Sequence, residues 1–153
     1  MKGKDPIWEF YGFKSRQEGS VVQEWFSRLD PDAQDEIVNL ITHLRTRPGG
    51  QWVRPDYDPL EGEGGISELR PRDVRTVTGN MVYRIYGFRG CPTKYCYTFL
   101  HGTDKDVSND IEGKAIAKGR LSQFLLNQGG DVHKFDFSGE PLEETEKKQG
   151  SES

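Results

Sequence analysis

Histidine, cysteine and long apolar runs are scarce in this chain, and each shortage closes off a class of function. Its three histidines, His43, His101 and His133, fall on different predicted elements with no paired spacing, so no zinc-type set is expected. The two cysteines, Cys91 and Cys96, sit in RGCPTKYC, a spacing that matches no zinc pair and has no second Cys/His pair to complete it. A hairpin disulfide is geometrically conceivable there, but a reducing compartment keeps both thiols free and structural. Cys91 also has no histidine near it in sequence to activate it as a nucleophile. No apolar stretch approaches the roughly 20 residues that span a bilayer, and MKGKDPIWEF has no signal-peptide core, so the expected location is cytoplasmic, without membrane contact. The glycine-rich PGG and EGEGG stretches carry no following Gly-Lys-Ser/Thr and hold acidic residues between glycines. They read as plain loops, not phosphate cradles, and no cofactor is expected.

A strongly basic balance is missing too. The formal net charge is −4, which taken whole argues against a nucleic-acid partner; its distribution argues otherwise. Residues 66–120 carry ten basic and six acidic side chains, net +4, whereas residues 1–65 are net −4. With 153 residues, 33% of them hydrophobic, the chain can bury one domain core.

The patterning predicts a mixed α/β (α+β) domain. Residues 7–13, IWEFYGF, alternate as a first strand. SVVQEWFSRL follows with Val22, Trp25, Phe26 and Leu29 at helical spacing and Ser20 placed to cap them. Asp30-Pro31 starts a second helix running to about Arg47, with Ile37, Leu40, Ile41 and Leu44 on one stripe. These two make a helical hairpin. Residues 48–65 read as a long loop pinned by Trp52 and Leu60. A three-stranded antiparallel meander then covers 66–70, 81–88 and 95–101, with turns at Thr78-Gly79-Asn80 and over 89–93. A C-terminal helix spans about 109–126, with Ile111, Ala115, Leu121 and Leu125 facing inward. The expected boundaries are a domain over 1–128, a short extension over 129–138 in which HKFDF could add a strand, and an acidic tail over 139–153 too polar to order itself.

The meander carries the chemistry. Its strands place Arg70, Arg84 and His101 at core-distal positions, with Lys105 just beyond, a face suited to a phosphate backbone. Arginine grips phosphate bidentately and keeps its charge, and histidine can transfer protons near neutral pH. Arg84, between apolar Tyr83 and Ile85, is expected on the open side of the sheet, where the plainer reading makes it a solvated cation or a partner for Glu68. Of Tyr83 and Tyr86, one belongs to the core and the other could stack on a base; Tyr86, together with Lys94, Arg70 and Arg84, is taken as RNA-contacting.

The order of elements, with the phrases ELR, G-x-x-x-YRI-x-Y and LHG followed by a lysine, resembles the RelE/HigB superfamily of bacterial toxin–antitoxin toxins, in particular its phage-derived HigB-like branch. The resemblance covers about residues 7–125. It implies a RelE-like microdomain that cleaves mRNA without metal, usually on the ribosome, with a cognate helix-turn-helix antitoxin as partner. It also implies catalytic roles: Arg84 and Arg70 for the phosphate, His101 and Lys105 for proton transfer and charge neutralisation. Where that branch carries a lysine pair after LHG, this chain has TDKDVSND, with Asp104 and Asp106 flanking Lys105. The alternative is a non-catalytic relative that uses the same fold to bind a protein, either gyrase, as ParE-like relatives do, or only its antitoxin.

Overall fold

Two phenylalanines set the first strand, β1 (Glu9–Ser15): Phe10 and Phe13 leave it on opposite faces, each into its own apolar cluster. The structure, a computed structural model, describes residues 5–72, 74–76, 79–104, 109–126 and 129–138. After β1 come α1 (Val21–Ser27) and α2 (Pro31–Arg45). Asp30 is extended, at φ −60° and ψ 151°, and Pro31 opens α2 with its φ already suited to a helix. Neither Ser20 nor Asp30 makes the side-chain capping bond that its residue type predicts. Ile37, Leu40, Ile41 and Leu44 form the expected buried stripe on α2, each contributing roughly 1.5–3 kcal/mol of burial.

The stretch read as a long loop holds a helical turn at Gly49–Gln51 and a strand, β2 (Tyr57–Pro59). Trp52 pins it as expected: the ring is buried and Nε1 donates to the Leu44 carbonyl at 3.0 Å. Beyond it lie β3 (Ser67–Leu69), β4 (Val74–Thr76), β5 (Gly79–Met81), β6 (Arg84–Arg89), β7 (Cys96–Thr103) and β8 (Gly130–Lys134). The predicted strand over 81–88 is therefore two strands. Met81 ends β5, which pairs only with β4 in a separate ribbon. Gly79 and Asn80 are strand residues, not a turn; Thr78 lies outside the described residues. The main sheet has six strands where four were expected, in the order β2-β3-β6-β7-β1-β8, with β1 parallel to β7 and the other pairings antiparallel.

Helices cover both faces of this sheet. α1 and α2 pack on one side with Phe10, Ile85, Tyr97 and Phe99. α3 (Ile111–Leu125) packs on the other with Phe13, Tyr86 and Leu100. Its inward stripe is Gly113, Ala117 and Leu121; of the four residues expected there only Leu121 is buried, while Ala115 is exposed and Ile111 and Leu125 are 71% and 56% exposed. The reason is space: Tyr86 already fills the sheet surface, so the helix approaches through small residues. A Cβ on Gly113 would meet both Asp110 and the Tyr86 ring. The extension over 129–138 joins the same core, since β8 pairs with β1 and Phe135 is buried. The tail over 139–153 lies outside the described residues. Among the described residues, no helix is long and apolar enough to cross a membrane.

Candidate functional site

Strand register builds the site. Tyr86 on β6 stands opposite Glu68 on β3 and His101 on β7, so Glu68, Tyr86 and His101 form a row across three adjacent strands. One step on, Arg84 is opposite Thr103. Arg70 lies two residues beyond Glu68, so side-chain alternation returns it to the face that Glu68 occupies. Both rows lie on the α3 face, at the N-terminal end of that helix, where Asp110 accepts from the Gly113 amide at 3.0 Å and from the Tyr86 hydroxyl at 3.1 Å.

A single carboxylate organises the cations. Arg70 donates to Glu68 Oε2 through Nε at 3.1 Å and Nη2 at 2.9 Å, and Arg84 Nε lies 3.5 Å from the same oxygen. The Arg84 and Glu68 side chains are each 8% exposed, whereas that of Arg70 is 47% exposed. The open cationic face expected from sequence is therefore not found. Arg84 is buried against Glu68, and the formal charges of Glu68, Arg70, Arg84 and Asp110 cancel. Burial, reinforced by Asp110, pushes the Tyr86 phenol well above its ordinary value, so the ring stays a neutral donor.

The structure brings together some predicted residues and separates others. Arg70, Arg84 and His101 share one end of the sheet face. Tyr86 is at their centre but fully buried with its hydroxyl engaged, so it presents no ring face for a base; Tyr83 is buried as well. Both tyrosines are core, because α3 covers one face of β6 and Trp25 of α1 packs against Tyr83. Lys94 stands in the β6–β7 turn with Nζ 5.3 Å from the centroid of the Tyr95 ring. That is the far end of the hairpin, about 17 Å along β6 from Arg84 at ~3.4 Å per residue. Lys105 lies outside the described residues.

Sequence reading underused three residues. Glu68 was visible two positions before Arg70, the spacing that puts both on one strand face. Asp110 was visible as an Asp just ahead of a helical pattern. Arg120 gave no signal, because it reaches the site only through the packing of α3. Its Nη1 donates to the Leu100 carbonyl at 2.8 Å and lies 3.4 Å from His101 Nδ1.

Elsewhere, a cleft of about 370 Å³ is lined by Glu36, Asn39, Leu40, His43, Asp56 and Arg72, none of them predicted. Both cysteines are free, and burial raises the Cys91 thiol, which suppresses the thiolate a nucleophile needs. Among the described residues no three His, Cys, Asp or Glu side chains gather as a metal set. No protein-family model, curated protein or solved structure matches this chain.

Proposed function

We propose that this chain is an RNA-cleaving toxin of the RelE/HigB type, acting on mRNA with the ribosome as co-substrate and restrained by an antitoxin. The carrying observation is the convergence of Glu68, Arg70, Arg84 and His101 on one end of three neighbouring strands. The order β1, helical hairpin, β3, β6, β7, α3 supports the RelE-like reading, with β2, the β4–β5 ribbon and β8 as additions to it.

Cleavage of RNA through its own 2′-hydroxyl needs an acceptor for that proton, positive charge on the phosphorane, and a proton for the leaving 5′-oxygen. The two guanidinium groups now held by Glu68 are the phosphate ligands. A phosphate that draws them away frees the Glu68 carboxylate to accept the 2′-hydroxyl proton as the oxygen bonds to phosphorus. Lys105 keeps its place in this scheme by resemblance alone.

Two variants test the proposal on ribosome-bound mRNA. Arg70→Ala removes a half-exposed cation, and Arg84→Lys keeps the charge facing Glu68 but loses the planar fork. Each is expected to lower the cleavage rate by about 10²–10³, the usual loss for one positioned donor to transition-state charge, with the circular dichroism spectrum unchanged. Folded variants that cut at the wild-type rate would remove the arginines from catalysis.

One observation favours a second reading, a non-catalytic protein binder such as a gyrase or antitoxin ligand: Arg84 is buried and neutralised by Glu68. Growth arrest on induction without new mRNA 5′ ends would select that reading.

A further inference from the structure

Arg120 is the cation that sequence reading passed over, and the atoms around it decide what His101 can do. It lies on the sheet-facing side of α3, with a side chain only 13% exposed. Its guanidinium carbon is 5.9 Å from the centroid of the Phe13 ring, and Nη2 reaches Glu18 Oε2 at 3.5 Å. Nη1 carries two protons. One satisfies the Leu100 carbonyl at 2.8 Å, and the other faces His101 Nδ1 at 3.4 Å.

A guanidinium has donors and no acceptor. The ring nitrogen it faces must therefore offer a lone pair, and the proton of the neutral imidazole must sit on the other nitrogen. A proton on that nitrogen would set an N–H of the ring against an N–H of the guanidinium. Tyr86 holds the ring from the side: the two rings are 1° from parallel with centroids 6.4 Å apart, and the Tyr86 hydroxyl is tied to Asp110.

We infer that Arg120 is a positioning residue that keeps His101 in its Nε2–H form, so that His101 meets an anionic substrate as a neutral hydrogen-bond donor, not as a proton-transfer group. In this arrangement the proton of the 2′-hydroxyl goes to Glu68 as its oxygen bonds to phosphorus, solvent water protonates the 5′-oxygen as its bond to phosphorus breaks, and Nε2–H of His101 donates to a non-bridging phosphate oxygen without giving its proton up. The tautomer stands on the geometry alone. The phosphate as its target rests on the ribonuclease reading.

Two measurements test it and keep those parts apart. Long-range ¹H–¹⁵N correlation of the histidine rings, recorded at about pH 8, where an ordinary imidazole of pKa ~6.5 is neutral, should show a lone-pair Nδ1 and a protonated Nε2 for His101. The resonance is assigned by its loss in His101→Gln. Arg120→Met should move Nδ1 toward the position of an unbonded nitrogen, and Arg120→Lys should restore it. A protonated Nδ1 in the wild-type protein overturns the inference, whatever the protein does to RNA.

The second measurement is cleavage of ribosome-bound mRNA by His101→Gln and His101→Ala. Glutamine can place an N–H near the Nε2 position but cannot shuttle a proton. The donor role predicts His101→Gln within about tenfold of wild type and His101→Ala down by about 10²–10³. Equal loss in both overturns the donor role. A wild-type protein that cuts no RNA yet shows the Nε2–H form overturns the ribonuclease reading and leaves the Arg120–His101 assignment standing.

Discussion

Arg84 and Glu68 behave as a unit, and a single substitution at either does more than remove a contact. Both are buried, and Arg84 Nε is 3.5 Å from the carboxylate. Arg84→Ala leaves Glu68 in a poorly solvated site with only the half-exposed Arg70 to balance it, a loss of up to about 3–5 kcal/mol, whereas replacing both members with apolar residues of similar volume is often neutral or stabilising. Urea titration should show Arg84→Ala strongly destabilised and the pair Glu68→Leu/Arg84→Met close to wild type. Equal destabilisation of both would show that the pair contributes through shape, not charge compensation. The two buried phenols make a second expectation. Burial raises Tyr86 and Tyr97 above the ordinary value of about 10. The folded state then holds protons that the unfolded state releases, so this stability is complete below pH ~10 and falls as pH rises past it, by up to about 1.4 kcal/mol per unit per phenol. Tyr97→Phe should flatten the alkaline limb of a stability–pH curve. An unchanged limb would assign alkaline unfolding to other groups.

The last strand is the element whose weight the sequence understated. HKFDF reads as an optional addition, yet β8 pairs with β1 over five residues, and Phe135 and Phe137 pack among Phe10, Phe26 and Phe99. Gln23 clasps the backbone beyond it: Nε2 donates to the Asp136 carbonyl at 2.7 Å, and Oε1 accepts from the Asp136 amide at 2.8 Å. Deleting residues 139–153 should leave the melting temperature within a few degrees of wild type, because that segment's composition offers little apolar burial. Deleting residues 130–153 should abolish cooperative melting. A stable product of the longer deletion would show that β1 tolerates an open edge. Helical elements were legible because Ile37, Leu40, Ile41 and Leu44 repeat at one clear period. The α3 face was legible only at Leu121, because its other inward residues are Gly113 and Ala117, and only the bulk of Tyr86 beneath them makes small side chains the right ones. The site was legible as residue types on neighbouring strands. The pairing of Arg84 with Glu68, the plainer of the two readings, is what the structure shows; the burial of that pair was not legible, because it depends on how α3 packs over the sheet.

At the level of the whole molecule, charge sets what the free protein can bind. The chain is net −4, and at the candidate site Arg70 is the more exposed member of a charge-balanced group. Binding of single-stranded RNA releases counterions with a slope of about −0.7 in log K against log salt per phosphate neutralised. Without the ribosome, the expected slope is shallow, between about −1 and −2. A slope near −5 would show that a larger cationic surface makes the contact. A shallow slope would mean that, if the chain acts on ribosome-bound RNA as proposed, much of the affinity comes from the ribosome and not from this chain.

The place of β1 in the sheet has a consequence for how the protein comes into being. It is synthesised first, yet its parallel partner is β7, from Glu9 against Cys96, and its other neighbour is β8. Chain growth at 5–20 residues per second separates Glu9 from Cys96 by on the order of 4–17 s. Through that interval Phe10 and Phe13 have no sheet to enter, and the row of Glu68, Tyr86 and His101 does not exist until β7 has left the exit tunnel. If the chain attacks messages on ribosomes, it has no assembled site through most of its own synthesis, and the emerging half-chain is the stage at which chaperones or proteases can most readily intercept it.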